Sequence, residues 1–175
     1  MDDATIQRLV DRQQIEDTIY RYASTIDAKD YSRLRTVFAD DAVAQYGSAP
    51  EIRGADAIVK WIEEMCVDQG FQHHMINVYH VDFEGDEARS LVYHTSHQTR
   101  RQEPDTDHLI VGRYRDVLRR VDGEWKIVDK RMELGWMEDV HYSQSTAAEQ
   151  EADENLGAQS RALEESVDQA IRTAQ

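Results

Sequence analysis

Residues 108–127 read HLIVGRYRDVLRRVDGEWKI. Apolar and polar residues alternate up to Val121-Asp122-Gly123 and resume in Glu124-Trp125-Lys126-Ile127, the pattern of two strands joined by a tight hairpin. The same period of two runs upstream from His73 to Phe83 and from Ala88 to Arg101, with turn residues at Glu84-Gly85-Asp86 between them. With His108–Val121 and Glu124–Trp136, these segments predict four long strands in an antiparallel meander.

The chain ahead of them has helical spacing. Ile6, Leu9, Ile15, Ile19, Tyr22 and Ile26 mark one apolar face over residues 5–27. Asp30 can cap a short second helix through Phe38, Ala42–Tyr46 reads as a short strand, and Gly47-Ser48-Ala49-Pro50 turns the chain. Ile58, Trp61, Ile62 and Met65 define a third helix from Gly54 to Cys66. Helices first and a curved sheet second make an α+β fold, a cone-shaped barrel whose antiparallel sheet is covered by three N-terminal helices above a cavity.

A length of 175 residues fits one core better than two thin ones. The expected domain is residues 1–138. From 139 to 175 the chain holds eight acids against two arginines, and the thin stripe of Leu156, Leu163, Val167 and Ile171 allows either a solvated tail or a polar helix packed on a neighbouring subunit. The net charge of −15 disfavours nucleic acid and anionic membrane surfaces as partners. A single cysteine, Cys66, excludes an internal disulfide, and no apolar run is long enough to span a bilayer. The expectation is therefore a cytoplasmic, soluble protein.

Asp27 closes the first helix, where the negative end of the dipole disfavours an acid. Some other interaction must hold it there. Tyr22 lies on the buried face of the same helix, so its hydroxyl needs a polar partner. His73 and His74 open the first long strand and must point to opposite faces. An imidazole facing a carboxylate is fixed in one tautomer and is stabilised as a cation, as a general base requires. His94 and His97 have a ligand-like separation, but on a strand they face opposite ways and cannot easily share a metal. There is no Gly-rich phosphate loop, paired-cysteine motif or nucleophile elbow.

Taken together, the residues resemble the SnoaL-like family, of the nuclear-transport-factor-2-like superfamily, over roughly residues 5–138. Ile15-Glu16-Asp17 through Tyr22 to Asp27 is similar to the family's opening helix and its catalytic aspartate. Gln72-His73-His74-Met75-Ile76-Asn77 resembles the segment in which a catalytic histidine stands four residues before an Asn, which selects His73. Tyr46 is similar to a second pocket tyrosine of the family's dehydratases, and the hairpin around Asp122-Gly123 resembles the family's last one.

The resemblance implies a cofactor-independent lyase without a metal. In it His73 removes a proton, Asp27 stabilises the imidazolium, and Tyr22 and Tyr46 hold a carbonyl or the leaving oxygen. Arg131, His94, His97, Trp61 and Trp136 are the expected substrate-binding residues, with Lys130 as the alternative to Arg131. The implied substrate is a small hydrophobic polycyclic or aromatic molecule, as in aromatic or steroid breakdown. Dehydration is the leading reaction. Dehydrochlorination, isomerisation, release of formaldehyde and a non-catalytic binding or dioxygenase small-subunit role remain open on the same fold. A homo-oligomer is expected from a sheet face carrying Val92, Val117 and Leu118, and the resemblance to the family's dehydratases, which form trimers, puts a trimer ahead of a dimer.

Overall fold

The computed structural model describes residues 2–141. The extension expected from residue 139 lies, from residue 142 onward, outside the described residues, and the last strand continues through His141.

Helix α1 (Asp3–Asp27) starts where the Asp2 carboxylate accepts the Thr5 backbone N–H at 2.8 Å. Ile15, Ile19, Tyr22 and Ile26 bury its inner face, whereas Ile6 and Leu9 are exposed, so the apolar face begins two turns later than the sequence suggests. The helix ends as Lys29 takes a left-handed conformation, φ 55°. The Lys29 ammonium then donates to the Gln69 carbonyl at 2.5 Å. That bond ties the end of the helix to the start of a distant strand.

Helix α2 is only Tyr31–Arg35, capped by Asp30. It stops short of the expected Phe38 because Phe38 already belongs to strand β1 (Phe38–Tyr46) and pairs with Ile127. A two-residue strand β2 (Ile52–Arg53) precedes helix α3 (Ala55–Met65), whose Ala55, Ile58, Val59 and Ile62 are buried. The meander follows as β3 (Gln69–Glu84), β4 (Glu87–Arg100), β5 (Glu103–Val121) and β6 (Glu124–His141).

These strands form one open, curved sheet in the order β2-β1-β6-β5-β4-β3. The meander is antiparallel, but β1 runs parallel to β6, so the sheet is mixed. Register breaks between Val78 and His80, Val111 and Gly112, and Val117 and Leu118 bend the long strands around the helices. Thr18 on α1 donates to the Trp125 carbonyl at 2.9 Å, seating the helix on the concave face. No helix among the described residues is long and apolar enough to cross a membrane.

Candidate active site

Beneath α1 and α3, the concave face encloses a cavity of about 210 Å³ lined by Tyr22, Tyr46, Trp61, His74, His94 and Tyr114 among others. Each side chain arrives by a simple rule of its element. Tyr22 is on the buried stripe of α1, Trp61 is on α3, and His74, His94 and Tyr114 occupy inward positions of β3, β4 and β5.

Asp27 meets His74. The His74 ring Nδ1 lies 2.5 Å from Asp27 Oδ1, and the His74 backbone N–H donates to Asp27 Oδ2 at 2.9 Å. This corrects the expected pairing with His73. On β3 the residues Gln72, His74, Ile76 and Val78 turn inward, while His73 is exposed on the outer face with its ring 6.3 Å from that of His97. Asn77, whose spacing favoured His73, shares that outer face and is exposed. The two bonds answer the unfavourable helix dipole at Asp27. Burial pushes the Asp27 carboxyl up, but the hydrogen bonds from His74 outweigh it and hold the group below its ordinary range.

Tyr22 donates from its hydroxyl to that of Tyr46 at 3.2 Å, and Tyr46 stacks on Trp61 with ring centroids 4.8 Å apart. Burial raises both tyrosines, so they are neutral donors. His94 stacks flat on Tyr114 at 4.4 Å, and neither of its ring nitrogens has a hydrogen-bond partner. Gly112 makes room for it, since a Cβ there would stand 2.9 Å from His94 Nε2.

Burial, helped by the nearby His74 and Lys130, depresses His94 to about 4. In the unfolded chain a histidine takes its proton near pH 6.5. Its stabilising effect is therefore complete above that pH and lost as the pH falls toward 4. Denaturant titrations at pH 7 and pH 4 should show an acid-induced loss that is smaller in His94→Phe by about 2–3 kcal/mol. An equal loss in both proteins would disprove the buried neutral state.

Beside this pair lies an ion pair between Lys130, the expected alternative to Arg131, and Asp116, which is not among the expected site residues. Lys130 and Asp116 are both fully buried, with Lys130 Nζ 3.1 Å from Asp116 Oδ2. The ammonium also lies 3.9 Å from the centroid of Tyr22 and 3.7 Å from that of Tyr114. Burial drives the lysine down and the aspartate up, each against its partner's attraction.

The other expected substrate contacts divide. Trp61 and His94 line the cavity; Arg131, His97 and Trp136 do not. Near Val128 the β5–β6 register shifts, so Lys130 turns inward. Arg131 instead donates to Asp129 at 2.6 Å, Glu51 at 2.8 Å and Gln45 at 3.2 Å. His97, of opposite parity to His94, pairs with Asp107 at 2.5 Å. Trp136 stands opposite Val111 in the β5–β6 ladder and is 48% exposed. Among the described residues, no group of three or more His, Cys, Asp or Glu is placed to hold a metal.

A curved sheet closed over a side-chain-lined cavity by an N-terminal helix defines the nuclear-transport-factor-2-like class. The chain belongs to the SnoaL-like family, whose domain matches residues 7–131. No curated protein gives a significant match. Among solved structures, the chain is 24% identical to a Novosphingobium aromaticivorans DSM 12444 protein provisionally assigned as a scytalone dehydratase, with 79% of this chain and 93% of that one covered at a TM-score of 0.71. It is 17% identical to a type-3 hexachlorocyclohexane dehydrochlorinase of Novosphingobium barchaimii LL02, covering 81% and 99% at 0.72. A ketosteroid isomerase-like protein of Erwinia carotovora atroseptica SCRI1043 is 16% identical, covering 69% and 92% at 0.61. At these identities the likeness establishes the fold alone.

Proposed function

We propose that the protein is a cofactor-independent lyase that eliminates water from a small hydrophobic ring compound, with His74 as general base. The observation that carries the reading is the 2.5 Å contact between Asp27 Oδ1 and His74 Nδ1 inside the cavity. With Nδ1–H held by the carboxylate, Nε2 keeps the free lone pair. It takes the proton next to a carbonyl, the C–H electrons become the double bond, and the C–O bond to the β-hydroxyl breaks. The imidazolium, stabilised by Asp27, returns its proton to the departing oxygen as water. Tyr46, whose oxygen accepts from Tyr22, supplies its neutral O–H to the carbonyl or the leaving oxygen, and His94 supplies a further N–H.

A volume of about 210 Å³ is below the roughly 300–1,000 Å³ of pockets for drug-sized ligands. It favours one or two rings over a steroid nucleus. Incubating the purified protein alone with cyclic β-hydroxy ketones and aryl propanediols tests the reading through new conjugated absorbance. Turnover supports the lyase, whereas tight binding without turnover of any of them supports a binding protein instead. Elimination of chloride by the same base is the second outcome to monitor, because the dyad is indifferent to the leaving group. A cytoplasmic setting belongs to the same proposal, supported by a lone, buried, free cysteine.

Self-association is also part of this reading, though not through the residues expected from sequence. Val92 and Leu118 are fully buried and Val117 is half-buried, whereas Phe71, Met75, Tyr79, Tyr93, Trp136 and Met137 are exposed. So large an apolar set on one domain supports a contact between copies of the chain. Light scattering should give a multiple of the chain mass, and Tyr79→Lys combined with Trp136→Lys should give the monomer. A monomeric native protein at micromolar concentration would refute the assembly.

A further inference from the structure

Two buried acceptors in the cavity take no part in the elimination. Oε1 of Gln69 and Oε1 of Gln72 are closed off from solvent without a hydrogen-bond partner, and both residues line the cavity. Gln72 is only 6% exposed. Its Nε2 donates to Cys66 Sγ at 3.3 Å, which fixes the amide and leaves the carbonyl end open.

Strand register says where this end lies. Across β3 and β4, Gln72 pairs with Gln98, His74 with Ser96 and Ile76 with His94. Same-face neighbours on a strand are about 7 Å apart. Gln72 therefore stands one step from His74 in one direction, with Gln69 beyond it across a register break, and His94 stands one step away in the other. His74 is in the middle of the cavity, between two polar ends.

An unpaired buried carbonyl oxygen is costly, and two beside one cavity mark a place where a ligand supplies the missing donors. A hydrocarbon or halogenated ring brings none. An ammonium donor is disfavoured because the Lys29 cation already sits on the Gln69 backbone carbonyl, 2.5 Å from its oxygen. A neutral O–H remains.

We propose that Gln72, with Gln69 beyond it, forms a specificity subsite that reads a ring hydroxyl of the substrate, Gln72 standing about one strand repeat from the carbon that reacts at His74. The inference rests on the placement of the reaction at His74. It makes the glutamines positioning residues, and it selects hydroxylated rings over chlorinated ones of the same size.

The test is equilibrium binding by calorimetry, using 4-hydroxyacetophenone, 4-chloroacetophenone and acetophenone. None has a leaving group β to its carbonyl, so turnover does not enter. The wild-type chain should bind the hydroxylated probe about 10- to 100-fold more tightly than either of the others. In Gln69→Leu/Gln72→Leu the preference should fall below about threefold. Gln72→Met, closer in shape, should lose most of it and serves if the double variant does not fold. Equal affinities for the three probes in the wild-type protein, including no binding of any, overturn the subsite. So does a preference that survives both sets of substitutions. Failure of the dyad would appear elsewhere, as undiminished turnover in His74→Gln, and would leave this binding preference in place.

Discussion

His74→Gln should lower kcat by about 10²–10⁴ and leave KM nearly unchanged, while His73→Gln should behave like the unsubstituted protein. The first substitution keeps a similar volume and some hydrogen bonding but removes the proton acceptor, an interaction used in the transition state more than in binding. His73 is exposed on the other side of the sheet, where its ring neighbours are Phe71 and His97. Asp27→Asn should lose a comparable factor to His74→Gln. An amide can still accept the backbone N–H of His74, but it cannot stabilise the imidazolium. The double variant should be scarcely worse than either single one, because residues acting as a unit are not additive. Steady-state kinetics on a turned-over substrate, with circular dichroism to verify folding, decides the matter. Loss of activity in His73→Gln with His74→Gln intact would reverse the assignment.

The one-residue error at His73 shows which parts of this site are legible in sequence. Period and turn chemistry locate the four long strands and the Asp122-Gly123 hairpin, where Asp122 and Gly123 both take positive φ. Helical spacing likewise delivers Tyr22 and Asp27 to one end of α1, and Trp61 to the buried side of α3. Parity along a strand is different, because shifting the count by one exchanges the two faces. Phe71, Met75 and Tyr79 are as apolar as Ile76 and Val78, so hydrophobicity alone does not say which side of β3 is the core. The four-residue spacing to Asn77 then points to the wrong one. The register shift near Val128 does the same to Lys130 and Arg131, and no turn residue signals it. Gln69 and Gln72 carry no motif at all. Their open amides become visible only when the cavity that buries them is drawn. Phe38 is a local misreading of another kind, where a helix-compatible residue is claimed by a parallel pairing with Ile127, far away in sequence.

Removing one member of the Lys130–Asp116 pair should cost more stability than any other single polar substitution in the domain. Both side chains are 0% exposed, so each depends on the other and on the tyrosine faces for what water would otherwise provide. Asp116→Asn leaves the ammonium buried against a neutral amide, and breaking a buried pair in this way typically costs about 3–5 kcal/mol. For a domain of this size that corresponds to a fall in Tm of roughly 10 °C or more. Replacing both, as Asp116→Leu with Lys130→Met, removes the attraction and the two desolvation penalties together, and should recover most of the lost Tm. The recovered protein would still lack the cation on the ring faces of Tyr22 and Tyr114. Since Tyr22 is the donor to Tyr46, and Tyr114 is the platform under His94, kcat should remain lowered by about tenfold after stability returns. Thermal melts and kinetics on the three proteins separate the two effects. If Asp116→Asn melts with the unsubstituted protein, the pair is not a buried ion pair. If the double substitution restores kcat along with Tm, the cation serves the fold and contributes nothing to the orientation of the pocket.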